Sequence, residues 1–172
     1  AVMHKEDKMG LRSSCTNQVS FEECVLSSDH LLGDEGDGLK IALDSLDGGR
    51  AGIAAQAVGI GRGAYEAARD YLQEREAFGK PVYKHSVWEE RVARARIDID
   101  MTRLLCLKAA DMMDKVGNKS AAAEIAMIKV QAPNMALQII DDAIQAHGAA
   151  GVSEDFGLAS AYAHQRTLRL AD

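Results

Sequence analysis

The chain has 172 residues and a formal net charge of −6, room for one sizeable core without the basic face that general nucleic-acid binding needs. No run of about 18 apolar residues is present, so no transmembrane helix is expected. The opening Ala1-Val2-Met3-His4-Lys5 lacks the basic-then-apolar layout of a secretory signal. Cys15, Cys24 and Cys106 lie far apart in no Cys-x-x-Cys arrangement and read as reduced thiols in an intracellular protein. Few aromatics beside plentiful Ala, Leu, Ile and Met suit close-packed helices better than a sheet sandwich. The first residue is not Met, and Asp172 follows a helical pattern with no stop signal; a piece of a longer chain is expected.

In residues 1 to about 30, Thr16 to Cys24 alternates so that Val19, Phe21 and Glu23 share one side of an extended segment. Unpaired strands make no stable sheet, so the partner strands are expected upstream. Gly33-Asp34-Glu35-Gly36-Asp37-Gly38 is a turn-rich break. From about 38 to 76 the pattern is helical and free of Pro, a single helix of roughly 55 Å. Its interior glycines cost up to about 1 kcal/mol each relative to Ala. The small residues Gly52, Ala55, Gly59 and Gly63 are spaced to let another helix come close.

A second helix is expected from about Ser86 to Val116. Trp88, Val92, Ala95, Ile99, Thr102, Cys106, Ala109 and Met113 form its apolar seam, and Gly117-Asn118 stops it. A third runs from about Ser120 to Ala146, with Ile125, Ile128, Ala132, Met135, Ile139 and Ala146 inward and a kink expected at Pro133. A fourth, shorter one spans about Phe156 to Leu170. Four helices with short connections make an antiparallel bundle.

Several motifs fail on context. Gly59-Ile60-Gly61-Arg62-Gly63 sits mid-helix, whereas a phosphate loop follows a strand and opens a helix; close packing explains it better. The acidic turn at Asp34 and Asp37 lacks calcium-loop spacing, and the five histidines lack metal spacing, so no metal is expected. Two helix ends carry more. At Arg75 and Phe78, a guanidinium able to fork onto pyrophosphate stands near a ring able to stack on a flat heterocycle. At Gln145-Ala146-His147-Gly148-Ala149, small residues let backbone N–H groups approach a ligand. Each has a structural alternative: a local ion pair and bundle plug for the first, a plain helix cap for the second.

Asp47-Gly48-Gly49-Arg50, Gln56 to Ile60, Glu74 to Pro81 and Gln145 to Gly151 together resemble the second half of an acyl-CoA dehydrogenase. Lys5 to Arg12 and Leu32 to Gly38 are similar to that family's middle-domain exit. The resemblance implies a mainly α fold: residues 1–32 as a partial β-domain remnant and 33–172 as the C-terminal antiparallel four-helix bundle domain, in a homo-oligomer (tetramer or dimer). It implies FAD as cofactor, with Arg75 on the pyrophosphate, Phe78 beside it, and Gln145, Gly148 and Ala149 on the adenosine-diphosphate portion of a neighbour's flavin. These become two halves of one site, supplied by different subunits. Asp47 and Arg50 would line the acyl-CoA site.

The reaction so implied takes a proton from the acyl α-carbon to a carboxylate base and a hydride from the β-carbon to FAD. One base position of the family, just before the bundle arginine, is Gly49 here and therefore closed. Aligning Arg166 with the family's later arginine brings Asp172 onto the other, and Arg169-Leu170-Ala171-Asp172 is similar to the lead-in of a branch with an Asp base. An electron-transfer flavoprotein is the implied acceptor. The implied location is the cytoplasm in a bacterium, or the mitochondrial matrix or peroxisome in a eukaryote. An acyl-CoA oxidase and a non-catalytic helical-bundle interaction domain are the alternatives.

Overall fold

A computed structural model of the chain describes residues 2–85 and 87–171. Ala1, Ser86 and the base candidate Asp172 lie outside the described residues. In chain order the elements are β1 (Val2–Lys5), β2 (Asn17–Val19), α1 (Gly38–Glu74), β3 (Glu76–Ala77), β4 (Lys80–Pro81), α2 (Trp88–Val116), α3 (Ala122–His147) and α4 (Leu158–Leu168).

The most buried helix is α3, because its apolar positions run almost all the way round and it packs on α1, α2 and α4. Its expected inward residues are all buried, and α2 buries Ala95, Ile99, Thr102 and Ala109 of its seam. Ala64, Ala95, Ile99, Met135, Ile139, Ile140, Ala143 and Leu158 form one core layer. A second layer is nearly all alanine: Ala54, Ala57, Ala109, Ala132 and Ala136 around Ile128. Short side chains there bring the helix backbones together.

Helix α2 ends as expected, with Gly117 at φ 78° and its N–H donating to the Met113 carbonyl. Helix α3 runs through buried Pro133, which lacks the N–H that would have reached the Lys129 carbonyl.

Two expectations change. The small-residue stripe does not receive a helix of the described chain: Gly52, Ala55, Gly59 and Gly63 are exposed, with open space where a Cβ would go on each glycine. The close approach falls at Gly61 instead, where a Cβ would stand 3.2 Å from Met135 Sδ and 3.4 Å from Ala136 Cα. The glycine run is thus mid-helix packing at this one position.

The N-terminal strand also stops early. β2 ends at Val19, Phe21 is exposed and Glu23 takes φ 49°, which ends any alternation. Its partner lies within the chain: β1 pairs antiparallel with β2, with Val2 opposite Val19 and Lys5 opposite Asn17. Both strands are exposed. The loop joining them is seated on the bundle at buried Gly10, where a Cβ would overlap the Ala163 carbonyl oxygen and come within 2.9 Å of His164 Cα.

Candidate functional site

At the C-terminal end of α1 the Arg75 N–H donates to the Tyr71 carbonyl, after which the backbone becomes extended. Glu76 and Ala77 then pair with Pro81 and Lys80 across a two-residue turn. Both turn residues have positive φ, +52° at Phe78 and +79° at Gly79, as in the primed turns whose twist matches a hairpin. Such a turn favours Asn or Asp before the glycine. A phenylalanine in the left-handed region costs roughly 1–2 kcal/mol, and its ring is 97% exposed, so burial does not offset the strain. The hairpin is braced from below: His85 Nε2 donates to the Ala77 carbonyl at 2.9 Å, and the His85 ring meets Phe78 edge-on at 6.0 Å.

The end of α3 lies opposite. Gly148 turns the chain at φ 62° into a 3-10 turn, Gly148–Val152. Behind it, buried His147 donates through Nδ1 to the Ala143 carbonyl at 2.8 Å and stacks on Tyr71 at 4.1 Å, with Phe156 packed against both rings. This ring stack fastens α1 to α3 directly beneath the two ends.

Between them is an open cleft of about 650 Å³, lined by Arg75, Phe78, Gln145, Gly148 and Ala149 together with Tyr71, His85, Trp88 and His147. All five residues expected to hold the cofactor therefore share one cleft of one chain. Arg75 is exposed and makes no ion pair among the described residues, despite Glu74 and Glu76 on either side. Gln145 is exposed, and nothing lies within 4 Å of the position a Cβ would take on Gly148. An unpaired cation, a bare ring, a free amide and an uncovered glycine backbone facing one space fit a planar, anionic dinucleotide.

Tyr71 and His85 were not singled out from the sequence, and Trp88 and His147 entered only as a seam residue and as part of a helix end. Tyr71 precedes Arg75 by four residues and so shares its helix face. His85 is visible only once the hairpin has folded back.

Asp47 and Arg50 do not join this cleft. They form an ion pair of 2.9 Å, both partly buried, in the N-terminal half of α1. Ile128 and Ala132 pack with Ala54 and Ala57, while His147 stacks on Tyr71, so α1 and α3 run parallel. Arg50 and Arg75 are then about 38 Å apart along α1 at ~1.5 Å per residue. The end of α4 is at the Arg50 level, since Lys129 Nζ donates to the Leu168 carbonyl at 2.9 Å. The two ends of the bundle therefore differ: the cleft lies at one, and the Asp47–Arg50 pair and the end of α4 lie at the other.

A family model for the acyl-CoA dehydrogenase C-terminal domain matches residues 36–172. The acyl-CoA dehydrogenase family member 11 of Rattus norvegicus is 44% identical over 155 residues, covering 90% of this chain and 20% of that one. Among solved structures, butyryl-CoA dehydrogenase from Megasphaera elsdenii superposes with a TM-score of 0.90 at 33% identity, over 98% of this chain and 44% of that one. A chain of the electron transferring flavoprotein structure of Acidaminococcus fermentans gives 0.90 at 35% identity, over 99% and 44%. The chain belongs to the acyl-CoA dehydrogenase family and carries its C-terminal helical domain. It spans about a fifth of that curated relative and under half of the solved chains it matches.

Proposed function

We propose that this chain is the C-terminal part of an FAD-dependent acyl-CoA dehydrogenase, in which residues 1–32 are the tail of a β domain and 33–172 the helical domain. The observation that carries the reading is the unpaired Arg75 beside the strained, exposed Phe78, facing Gln145, Gly148 and Ala149 across one cleft. Arg75 would fork onto the pyrophosphate, Phe78 would cover the adenosine portion, and Gln145 with the Gly148–Ala149 backbone would hold its other side. Bound there, FAD would supply the acceptor for the hydride that leaves the acyl β-carbon. Asp172 would take the α-proton, with Asp47 and Arg50 lining the acyl-CoA site. The closed Asp47–Arg50 pair keeps both side chains in place without a ligand.

The separation of about 38 Å between the two ends exceeds the span of one extended FAD. The cleft would then serve a flavin that reacts at another copy, which makes the proposed working unit a homo-oligomer of at least two chains. Met101, Leu104, Met127 and Val130 leave an exposed apolar face on α2 and α3, which supports self-association. Reoxidation by an electron-transfer flavoprotein completes the cycle.

The full-length protein is expected to be yellow, and to bleach anaerobically with an acyl-CoA. Asp172→Asn is expected to stay yellow but no longer bleach. A colourless protein that takes up no flavin on reconstitution would overturn the reading in favour of an interaction domain. Rapid reoxidation of the bleached protein by air would make it an oxidase.

A further inference from the structure

We propose that Lys129 is a positioning residue for the base: it ties the end of α4, and with it the segment carrying Asp172, to α3. This inference rests on the assignment of Asp172. A helix leaves its last carbonyls without partners inside the helix, and the tail of α4 accounts for them in an uneven way. The Thr167 carbonyl takes the N–H groups of both Leu170 and Ala171, at 3.0 and 3.2 Å. The Thr167 hydroxyl turns back to the His164 carbonyl. The Leu168 carbonyl is taken by a side chain from another helix, Lys129 Nζ at 2.9 Å.

The placement of that bond carries the argument. Leu168 is 1% exposed, so its carbonyl is fixed from the inner side by packing as well as by the cation. Lys129 is itself half-buried, and a cation at the C-terminal end of a helix also meets the negative end of its dipole. Its own α3 backbone is held in the core by Ile128 and Pro133, both fully buried. A surface lysine would give the carbonyl a loose partner. This one transmits the position of the most buried helix to a point four residues before the base. Proton abstraction is sensitive to placement, with about 1 Å of displacement costing on the order of a hundredfold in rate, so a tie of this kind has a kinetic consequence.

The test uses the full-length flavoprotein with Lys129→Met and Lys129→Arg beside Asp172→Asn. Readouts are flavin content, thermal midpoint, KM for the acyl-CoA, and the anaerobic rate of flavin reduction at saturating substrate. Lys129→Met is expected to reduce flavin about 10- to 100-fold more slowly, with flavin content and KM within about twofold. Lys129→Arg, which keeps a donor and a charge, is expected to recover most of the rate. The double variant Lys129→Met/Asp172→Asn should be no slower than Asp172→Asn.

Wild-type reduction by Lys129→Met, or a loss of rate that only parallels loss of flavin and of thermal stability, overturns the proposal while leaving the base in place. Undiminished reduction by Asp172→Asn removes the base assignment instead, and the role of Lys129 with it.

Discussion

The two ends of this bundle handle their polar groups in opposite ways. At the cleft end, Arg75 has no carboxylate among the described residues, Phe78 is bare and strained, and Gly148 faces open space. At the other end the charges already have partners: Asp47 holds Arg50, and Lys129 holds the Leu168 carbonyl. Unmet groups on a braced frame suit an end that binds something large and flat. Satisfied groups suit an end that must keep a reactive geometry. The strain at Phe78 belongs to the first kind, since a residue held in a costly conformation without burial points to use by a ligand.

The contrast can be broken by substitution. The largest effect is expected from Gly151→Ala, because a Cβ there would overlap the Ile144 carbonyl oxygen and reach within 2.8 Å of its Cα. A loss of about 2–3 kcal/mol in stability and of most flavin binding should appear together in thermal melts and flavin titration. Arg75→Met should leave the melt unchanged, since the side chain is exposed, and weaken FAD by about 10- to 100-fold, the ~1.5–3 kcal/mol of a charged hydrogen bond. Equal flavin affinity in that variant would remove the cleft as the pyrophosphate site.

Arg50→Met, at the opposite end, should raise KM for the acyl-CoA by about fivefold to tenfold, from ~1 kcal/mol of lost pairing, with flavin affinity untouched. A change in flavin affinity there would mean the ends are not separate. The smallest effect is expected from Phe78→Asn. Asn tolerates positive φ, so stability should rise by about 1 kcal/mol, read as a higher melting midpoint, while flavin binding weakens severalfold. Strain without use would instead give a more stable protein that binds flavin as before.

Much of this was legible in sequence because it is periodic or local. The seam from Trp88 to Met113 repeats at helical spacing, and the four helices lie within about two residues of where periodicity and Gly117 put them. Arg75 with Phe78, and Gln145 with Gly148, were visible as odd residues at helix ends. That they serve one site came from the resemblance, and that one chain brings both into one cleft depends on α1 and α3 running parallel and finishing level. The Tyr71–His147 stack that sets this level joins residues far apart in sequence and of ordinary type. Glycine spacing on α1 did not mark the contact within the described chain for a related reason: Gly52, Gly59 and Gly63 have the right period, but the face that meets α3 is set by Ala54, Ala57, Gly61 and Ala64. Period locates a stripe, and only the fold decides which stripe is covered.

The seat of Gly10 on α4 bears on how the parts of the molecule can move. Backbone lies against backbone there, with no side chain between to flex, so the loop joining β1 to β2 is seated directly on α4. A swing of the N-terminal strands away from the bundle would have to lift that seat first. The link from those strands to α1 is the exposed stretch from 21 to 36, which carries the positive φ angles of Glu23, Gly33 and Gly36.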